Sequence, residues 1–264
     1  MVNFLHIIWE YRGFIRGNIK REFQAKYRNS LLGASWSVLN PLSMIVVYTV
    51  IFSQVMKAKL PGIDSQYAYS IYICAGILSW GLFADIITRS QNVFLDNANL
   101  IKKISFPKIC LPITVIGSAL VNFAIIFSLF TLFLIISNDF PGVVFLDLIP
   151  VLFIMMILAI GLGMIIGVMN VFFRDVGQFF GIILQFWFWL TPIIYPVTIL
   201  PDAIHKFLNL NPMASIIDSC QRILVSGASP NWMSLIYPLI LGMFFCIIGL
   251  FLFRKHVGEM VDEL

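Results

Sequence analysis

The chain alternates between long uncharged stretches and short charged ones. No Asp, Glu, Lys or Arg occurs at 29–56, 65–84, 109–138, 148–173, 176–201 or 223–253. Crossing the hydrocarbon of a bilayer takes roughly 20 helical residues, so every window is long enough. The second is the shortest, and 86–88 extend it past Asp85. The sixth opens on "SGASPNW", which reads as loop and moves its helix to about 231–253. These windows predict membrane helices at 37–56, 68–90, 113–136, 148–170, 178–198 and 232–253.

The segments between them carry their own patterns. "FLHIIWEYRGFIRGNIKREFQAKYR" is apolar at 4, 8, 11, 15 and 19, with Arg16, Lys20 and Arg21 on the other side. That predicts an amphipathic helix over 4–27 in the membrane interface, with Trp9 and Tyr11 at headgroup depth. A helix packed on a partner protein has the same pattern, and the two readings are compatible. Gly13 and Gly17 weaken the helix. Between spans two and three, "NVFLDNANLIKKISFPKICLP" predicts a short helix over 93–104, which Pro107 and Pro112 separate from the next span. It is either an ordinary connection or a knob for a cytoplasmic partner, given Leu100 and Ile101 beside Lys102 and Lys103.

Only "FFRDVG" separates spans four and five, and Pro192 and Pro196 predict a kink in span five. The 199–231 segment is long for a hairpin connection. Asn211-Pro212 is a helix start, with Asn as cap and Pro in the first turn. Asp218 and Arg222 are four apart and able to pair, while Ile217, Cys220 and Leu224 form an apolar strip. A helix this short and apolar sits at the outer interface or dips back into protein at membrane depth.

Composition agrees. A soluble domain carries about a quarter charged residues. This chain of 264 residues carries 11%, with 60% hydrophobic residues and a mean hydropathy of +0.94. Such a chain cannot cover itself with polar surface, so it is an all-α integral membrane protein. With both ends in the cytoplasm, the inner side holds 13 Lys and Arg and the outer side holds Lys57, Lys59, Lys206 and Arg222, a positive-inside bias. The formal +4 then serves anionic lipid or a cytoplasmic partner, and no aromatic-basic interleaving points to nucleic acid. Residues 1–28 are too charged for a cleavable signal peptide. Cys74, Cys110, Cys220 and Cys246 lack metal-ligand spacing and read as apolar filling. A disulfide between Cys74 and Cys220 near the outer face stays open.

Several chemistries are missing. There is no GxxxxGK phosphate loop, HExxH, GxSxG or zinc spacing. Asp85 and Arg89 lie near the inner end of span two, and no midplane Asp, Glu or His forms the relay of an ion-coupled carrier. Energy therefore comes from elsewhere, or the protein is passive. Span five, "FFGIILQFWFWLTPIIY", carries aromatics almost all round. Helix packing accounts for them; a passage for sugars is the sharper alternative. For such a passage the favoured residues are Tyr48 and Phe52, four apart on span one, with Phe186 on span five.

"REFQAKYRNSLLGASWSVLNPLSMIVVYTVIF" (21–52) resembles the start of ABC-2-type membrane subunits of polysaccharide exporters, nearest the O-antigen and lipopolysaccharide export permeases. Capsule and teichoic-acid exporters are near relatives. "LIKKISFPKICLP" (100–112), "NVFFRDVGQF" (170–179), "LTPIIYP" (190–196), "LNPM" (210–213) and "FRKHVGEMVDEL" (253–264) carry the resemblance onward in order. It implies one transmembrane domain over 1–264 in the bacterial inner membrane, with both termini cytoplasmic. Two copies would form a channel over two separate ABC ATPase subunits, which hold the ATP and Mg. The cargo implied is an undecaprenyl-linked glycan moving outward, and no cofactor is expected in this chain. By likeness, 4–27 is the interface helix, Arg28 to Pro41 its turn into span one, and Asn40-Pro41 the start of that span. The 92–106 region, with Leu100, Ile101, Lys102 and Lys103, is the coupling helix on the ATPase, and 199–231 holds outer gate helices. An exporter of small hydrophobic compounds within the same fold, and a passive pore or scaffold, are the competing readings.

Overall fold

The computed structural model describes residues 6, 9–26, 33–55, 60, 65–103, 106–197, 201 and 207–264. Among them there is helix and turn but no strand. The sequence-predicted turn at Arg28, the outer lysines Lys57, Lys59 and Lys206, and much of 199–206 lie outside the described residues.

Helix α1 (Arg12–Lys26) falls within the segment read as the interface helix over 4–27. Ile15 is buried while Arg12, Arg16, Lys20 and Arg21 are exposed, as the amphipathic pattern requires. Its Ile19 lies where a Cβ on Gly117 would be, 2.5 Å away, so that glycine lets the helix sit close against span three. Helix α2 (Trp36–Thr49) continues as a π-helical stretch over Val50–Val55. It does not start at Asn40-Pro41: Pro41 is buried inside it, one turn beyond Trp36. Proline deletes a single helix hydrogen bond, which the flanking turns tolerate near a helix start.

Helix α3 (Ala68–Asp96) is the centre of the bundle, with Cys74, Ala75, Phe83, Ile86 and Ile87 fully buried. It runs six residues beyond the sequence-predicted end, because Asp85 and Arg89 find partners and do not end the helix. After a turn at Asn97 comes α4 (Ala98–Lys103), so the short helix predicted over 93–104 is really the tail of α3 plus this single turn and a half. Helix α5 (Cys110–Ile136) holds Pro112 in its first turn, where no helix N–H is lost. It ends at Asn138 with φ 59°; Asp139 N bonds Leu134 O and Asn138 N bonds Ile135 O, the pair of closures that a left-handed residue permits.

Helix α6 (Leu148–Phe172), led in by a 3₁₀ stretch at Gly142–Asp147, and α9 (Trp232–His256) form the most intimate pair. A Cβ on Gly161 would lie 2.6 Å from the Cys246 nitrogen, and one on Gly242 2.9 Å from the Leu158 nitrogen. Without a hydrophobic force between helices in lipid, close backbone approach at small residues supplies the attraction. Helix α7 (Asp175–Leu190) follows α6 directly, α8 (Pro212–Ser226) is inserted against α3, α6 and α9, and α10 (Glu259–Glu263) ends the chain.

Among the described residues, five segments are long and apolar enough to cross a membrane: Trp36–Ser53, Ala68–Asp96, Cys110–Ile136, Gly142–Phe172 and Trp232–His256. The fifth sequence-predicted span, 178–198, is shorter as a helix. Helix α7 has 16 residues, about 24 Å at the α-helical rise, against a hydrocarbon core of roughly 30 Å. It stops because Thr191 is extended (φ −103°, ψ 133°) ahead of Pro192, the conformation that a following proline imposes. The expected kink is thus a terminus, and 191–196 continue without regular structure.

Candidate transport site and partner face

Helix α8 confirms the start read from Asn211-Pro212. The Asn211 side chain accepts from Met213 N at 3.0 Å, and Gly227 at φ 59° closes the other end. Ile217, Cys220 and Leu224 are buried, and Asp218 and Arg222 are exposed on one face without forming an ion pair. Cys74 and Cys220 are both buried free thiols, so no disulfide joins them.

Beside α8 lies a group of tyrosines. Tyr48 and Phe52 meet at 6.3 Å between ring centres, Phe52 and Tyr69 at 5.4 Å, and Tyr69 and Tyr72 at 6.1 Å. All four are half-buried, forming a continuous run of rings from α2 to α3. Hydroxyls tie the run to the segment after α7: Tyr69 donates to Ile194 O (3.1 Å), and Tyr72 to Tyr195 O (3.1 Å) and Pro192 O (3.3 Å). Gln221 of α8 donates to Ile193 O at 3.1 Å. A Cβ on Gly76 would lie 3.0 Å from that same carbonyl. The carbonyls of the irregular run after α7, at 192–195, are therefore satisfied by side chains from α3 and α8, as irregular backbone inside a membrane protein requires.

Tyr48 and Phe52 thus lie together in one run of rings. Phe186 does not join it: it is 67% exposed on α7. Trp187, about 100° further round the helix, packs edge-on to Trp80 and Phe83 at 6.1 and 5.3 Å and donates to Asn211 Oδ1 at 2.8 Å. Packing accounts for Trp187, and the exposed Phe179, Ile182, Phe186 and Trp189 form the other face of α7. Tyr69, Tyr72 and Tyr195 were not singled out in the sequence; the tyrosines at 67, 69 and 72, with Tyr195 in "LTPIIYP", were the available signal.

At the opposite end, Val93, Phe94, Ile101, Leu111, Val115, Val171, Phe253 and Met260 form a second, smaller core. Ile101 is 6% exposed there, and Leu100 is half-buried against the same cluster. The reading of Ile101 as a partner contact is corrected: it anchors α4 to its own chain. Lys102 and Lys103 are exposed and remain available to a partner. The C-terminal residues brace this ledge: Lys108 Nζ donates to Val257 O at 3.2 Å, and Met260 is buried.

Two polar junctions join the elements near this end. Arg89 bonds Asp85 Oδ1 at 2.7 Å and also pairs with Glu22 of α1, whose other oxygen accepts from Ser118 of α5 at 2.5 Å. Three helices meet there. Asn170, at the end of α6, accepts from Gly177 N (2.9 Å) and donates to Gln91 O (2.8 Å), fastening α6, α7 and α3 together. Gly177 is obligatory in this arrangement, since a Cβ there would lie 2.8 Å from Asn170 Oδ1.

The profile of the family described as ABC-2 type transporter matches residues 14–225, which takes in α1 through α8 almost completely. The chain belongs to the ABC-2 transporter membrane family. It is 29% identical over 237 residues to the O-antigen export system permease protein RfbA of Klebsiella pneumoniae, covering 89% of this chain and 88% of that one. The Myxococcus xanthus protein of the same name is 29% identical over 233 residues, covering 88% and 87%. The polysialic acid transport protein KpsM of Escherichia coli is 23% identical over 247 residues, covering 92% and 93%. The tyrosine run, the break after α7 and the α4 ledge of this chain are thus parts of a transporter's membrane subunit.

Proposed function

We propose that this chain is the membrane permease of an ATP-driven exporter that moves a lipid-linked polysaccharide from the cytoplasmic side outward. The observation that carries the reading is the nearly full-length likeness to permeases named for O-antigen and polysialic acid export. Two copies of the chain form the pathway, and two separate ABC ATPase subunits bind ATP and Mg and supply the energy. The chain sits in the bacterial inner membrane with both ends in the cytoplasm. Its sixth crossing is completed by α7 together with the irregular 191–196 run.

Aromatic rings suit this cargo. A ring covers the C–H face of a sugar; if each such contact matches an aromatic pair, at about 0.5–1.5 kcal/mol beyond burial, it is weak enough for sliding. The run through Tyr48 and Phe52, extended by Tyr69 and Tyr72, is assigned to the glycan route. Phe186 faces away from it in the single chain and joins it only across the interface with a second copy. On the cytoplasmic side, Lys102 and Lys103 with the accessible part of Leu100 contact the ATPase, while Ile101 holds the ledge from within.

Deleting the permease in its host tests the reading. Lipid-linked glycan should then accumulate in the cytoplasmic leaflet and vanish from the cell surface, with synthesis unchanged. Normal surface glycan in the deletion strain overturns it.

A further inference from the structure

Around the Glu22–Arg89–Asp85 junction lie connected hollows that the transport reading does not use. One of about 390 Å³ runs between α2, α3 and α5; its wall is apolar, from Met44, Ile77, Leu78, Leu82, Phe123 and Ile126. Asp85 closes its polar end, and Asn122 is shared with a neighbouring hollow of about 360 Å³ that contains Glu22, Arg89 and Ser118. Glu22 and Arg89 in turn open onto a cleft of about 650 Å³ whose lining includes Arg21, Asn18, Asn92 and Asp96. Each is the size of a small-molecule site. Shared lining residues make the three neighbours, so an apolar hollow, the charged junction and the outer cleft lie side by side and are read as one slot.

The charges choose the occupant. Two carboxylates face one guanidinium at the junction, leaving one net negative charge. Glu22 spends one oxygen on Arg89 and the other on Ser118, and Asp85 spends Oδ1 on Arg89. Asp85 Oδ2 is buried with no hydrogen-bond partner. A buried carboxylate oxygen without a donor is costly, and an N–H donor carrying positive charge is its best complement. Arg21, bonded to Asn18 Oδ1 at 2.6 Å, offers an exposed cation at the mouth. A net negative junction within, and at the rim the Arg21 guanidinium with Asp96 in the same cleft, suit a zwitterion whose amine enters first and whose phosphate stays beside Arg21.

We propose that this slot binds a phosphatidylethanolamine-type lipid. The primary ammonium meets Asp85 beside Glu22, the phosphate lies toward Arg21, and the first chain carbons enter the apolar hollow. An anionic phosphatidylglycerol headgroup has no ammonium for the junction and adds charge of the wrong sign. Phosphatidylcholine keeps the zwitterion but has no N–H to donate. The site does not depend on the exported cargo; only the leaflet it occupies follows from the topology proposed above.

Native mass spectrometry of the purified full chain, offered equimolar phosphatidylethanolamine, phosphatidylcholine and phosphatidylglycerol, tests this. The ethanolamine lipid should be retained about tenfold over each of the others, the worth of one charge-assisted hydrogen bond. Asp85→Asn should erase that preference. Because Asp85 also holds Arg89, Gly81→Leu is the second variant: Gly81 lines the apolar hollow, and a Cβ there meets nothing within 4 Å. It should keep the melting temperature of the lipid-free protein while losing lipid of every kind from the slot. Equal retention of the three lipids by the parent, or an ethanolamine preference that survives Gly81→Leu, overturns the proposal.

Discussion

Asn170 offers the sharpest test of how the bundle is held together. Its side chain is 2% exposed and replaces the missing cap of α7, since Arg174 at the cap position makes no side-chain cap bond. Gly177 is the third residue of α7, so its N–H is among the four that a helix start leaves without intrahelical partners. Asn170→Ala removes two buried hydrogen bonds and strands that N–H. Two bonds at about 1 kcal/mol each, plus the cost of a buried donor without a partner, total about 2–4 kcal/mol. Gly177→Ala alone pushes a methyl to 2.8 Å from Asn170 Oδ1 and should cost about 1–3 kcal/mol as overpacking. In the Asn170→Ala background the obstacle is gone, and the same change should be neutral or gain up to about 1 kcal/mol of helix propensity. Reversible unfolding in mixed micelles, followed by tryptophan fluorescence, measures all four proteins. A coupling of at least about 1 kcal/mol is expected. Additivity within about 0.5 kcal/mol, the ordinary behaviour of independent sites, would show that Asn170 does not hold α7 by this contact.

Other consequences are simpler. Gly161→Ala should lower the melting temperature by separating α6 from α9, whereas Gly181→Ala, with open space around it, should leave it unchanged or higher. Ile101→Asp buries a charge in the small core and should destabilise the permease itself, while Lys102→Glu with Lys103→Glu should leave folding intact and reduce ATPase co-purification. Phe52→Leu combined with Phe186→Leu should slow surface glycan export at equal expression with basal ATP hydrolysis retained; export equal to the parent would make these rings packing residues.

Much of the architecture was legible because charge marks the ends of spans. Asp147, Arg254 and Lys255 bound their helices within a few residues, and Asn211-Pro212 located α8 because cap and first-turn chemistry are local. Where the sequence misled, the cause was tertiary. Asp85 and Arg89 looked like the end of span two, but Glu22, 67 positions away from Arg89, meets the guanidinium and lets α3 continue. Ile101 carries the same apolar signature whether it faces a partner or its own chain, and only the arrival of Met260 and Phe253 decides between them. Helices α5, α6 and α9 are apolar all round, so no periodicity reveals which side meets protein; only the folded chain shows it, for α6 and α9 through the close approaches at Gly161, Gly242 and Gly249. The rotation of α7, and with it the direction of Phe186, was hidden for the same reason.

The central claim is ATP-driven export of a lipid-linked glycan by this permease. Proteoliposomes holding the permease and its ATPase, with a fluorescent undecaprenyl-linked oligosaccharide in the ATP-accessible leaflet, test it most directly. The account requires the glycan to reach the opposite leaflet only with ATP and Mg, and not when the ATPase is catalytically inactive. Transfer at the same rate without ATP, or ATP-driven export of small hydrophobic dyes with the glycan left in place, would contradict it.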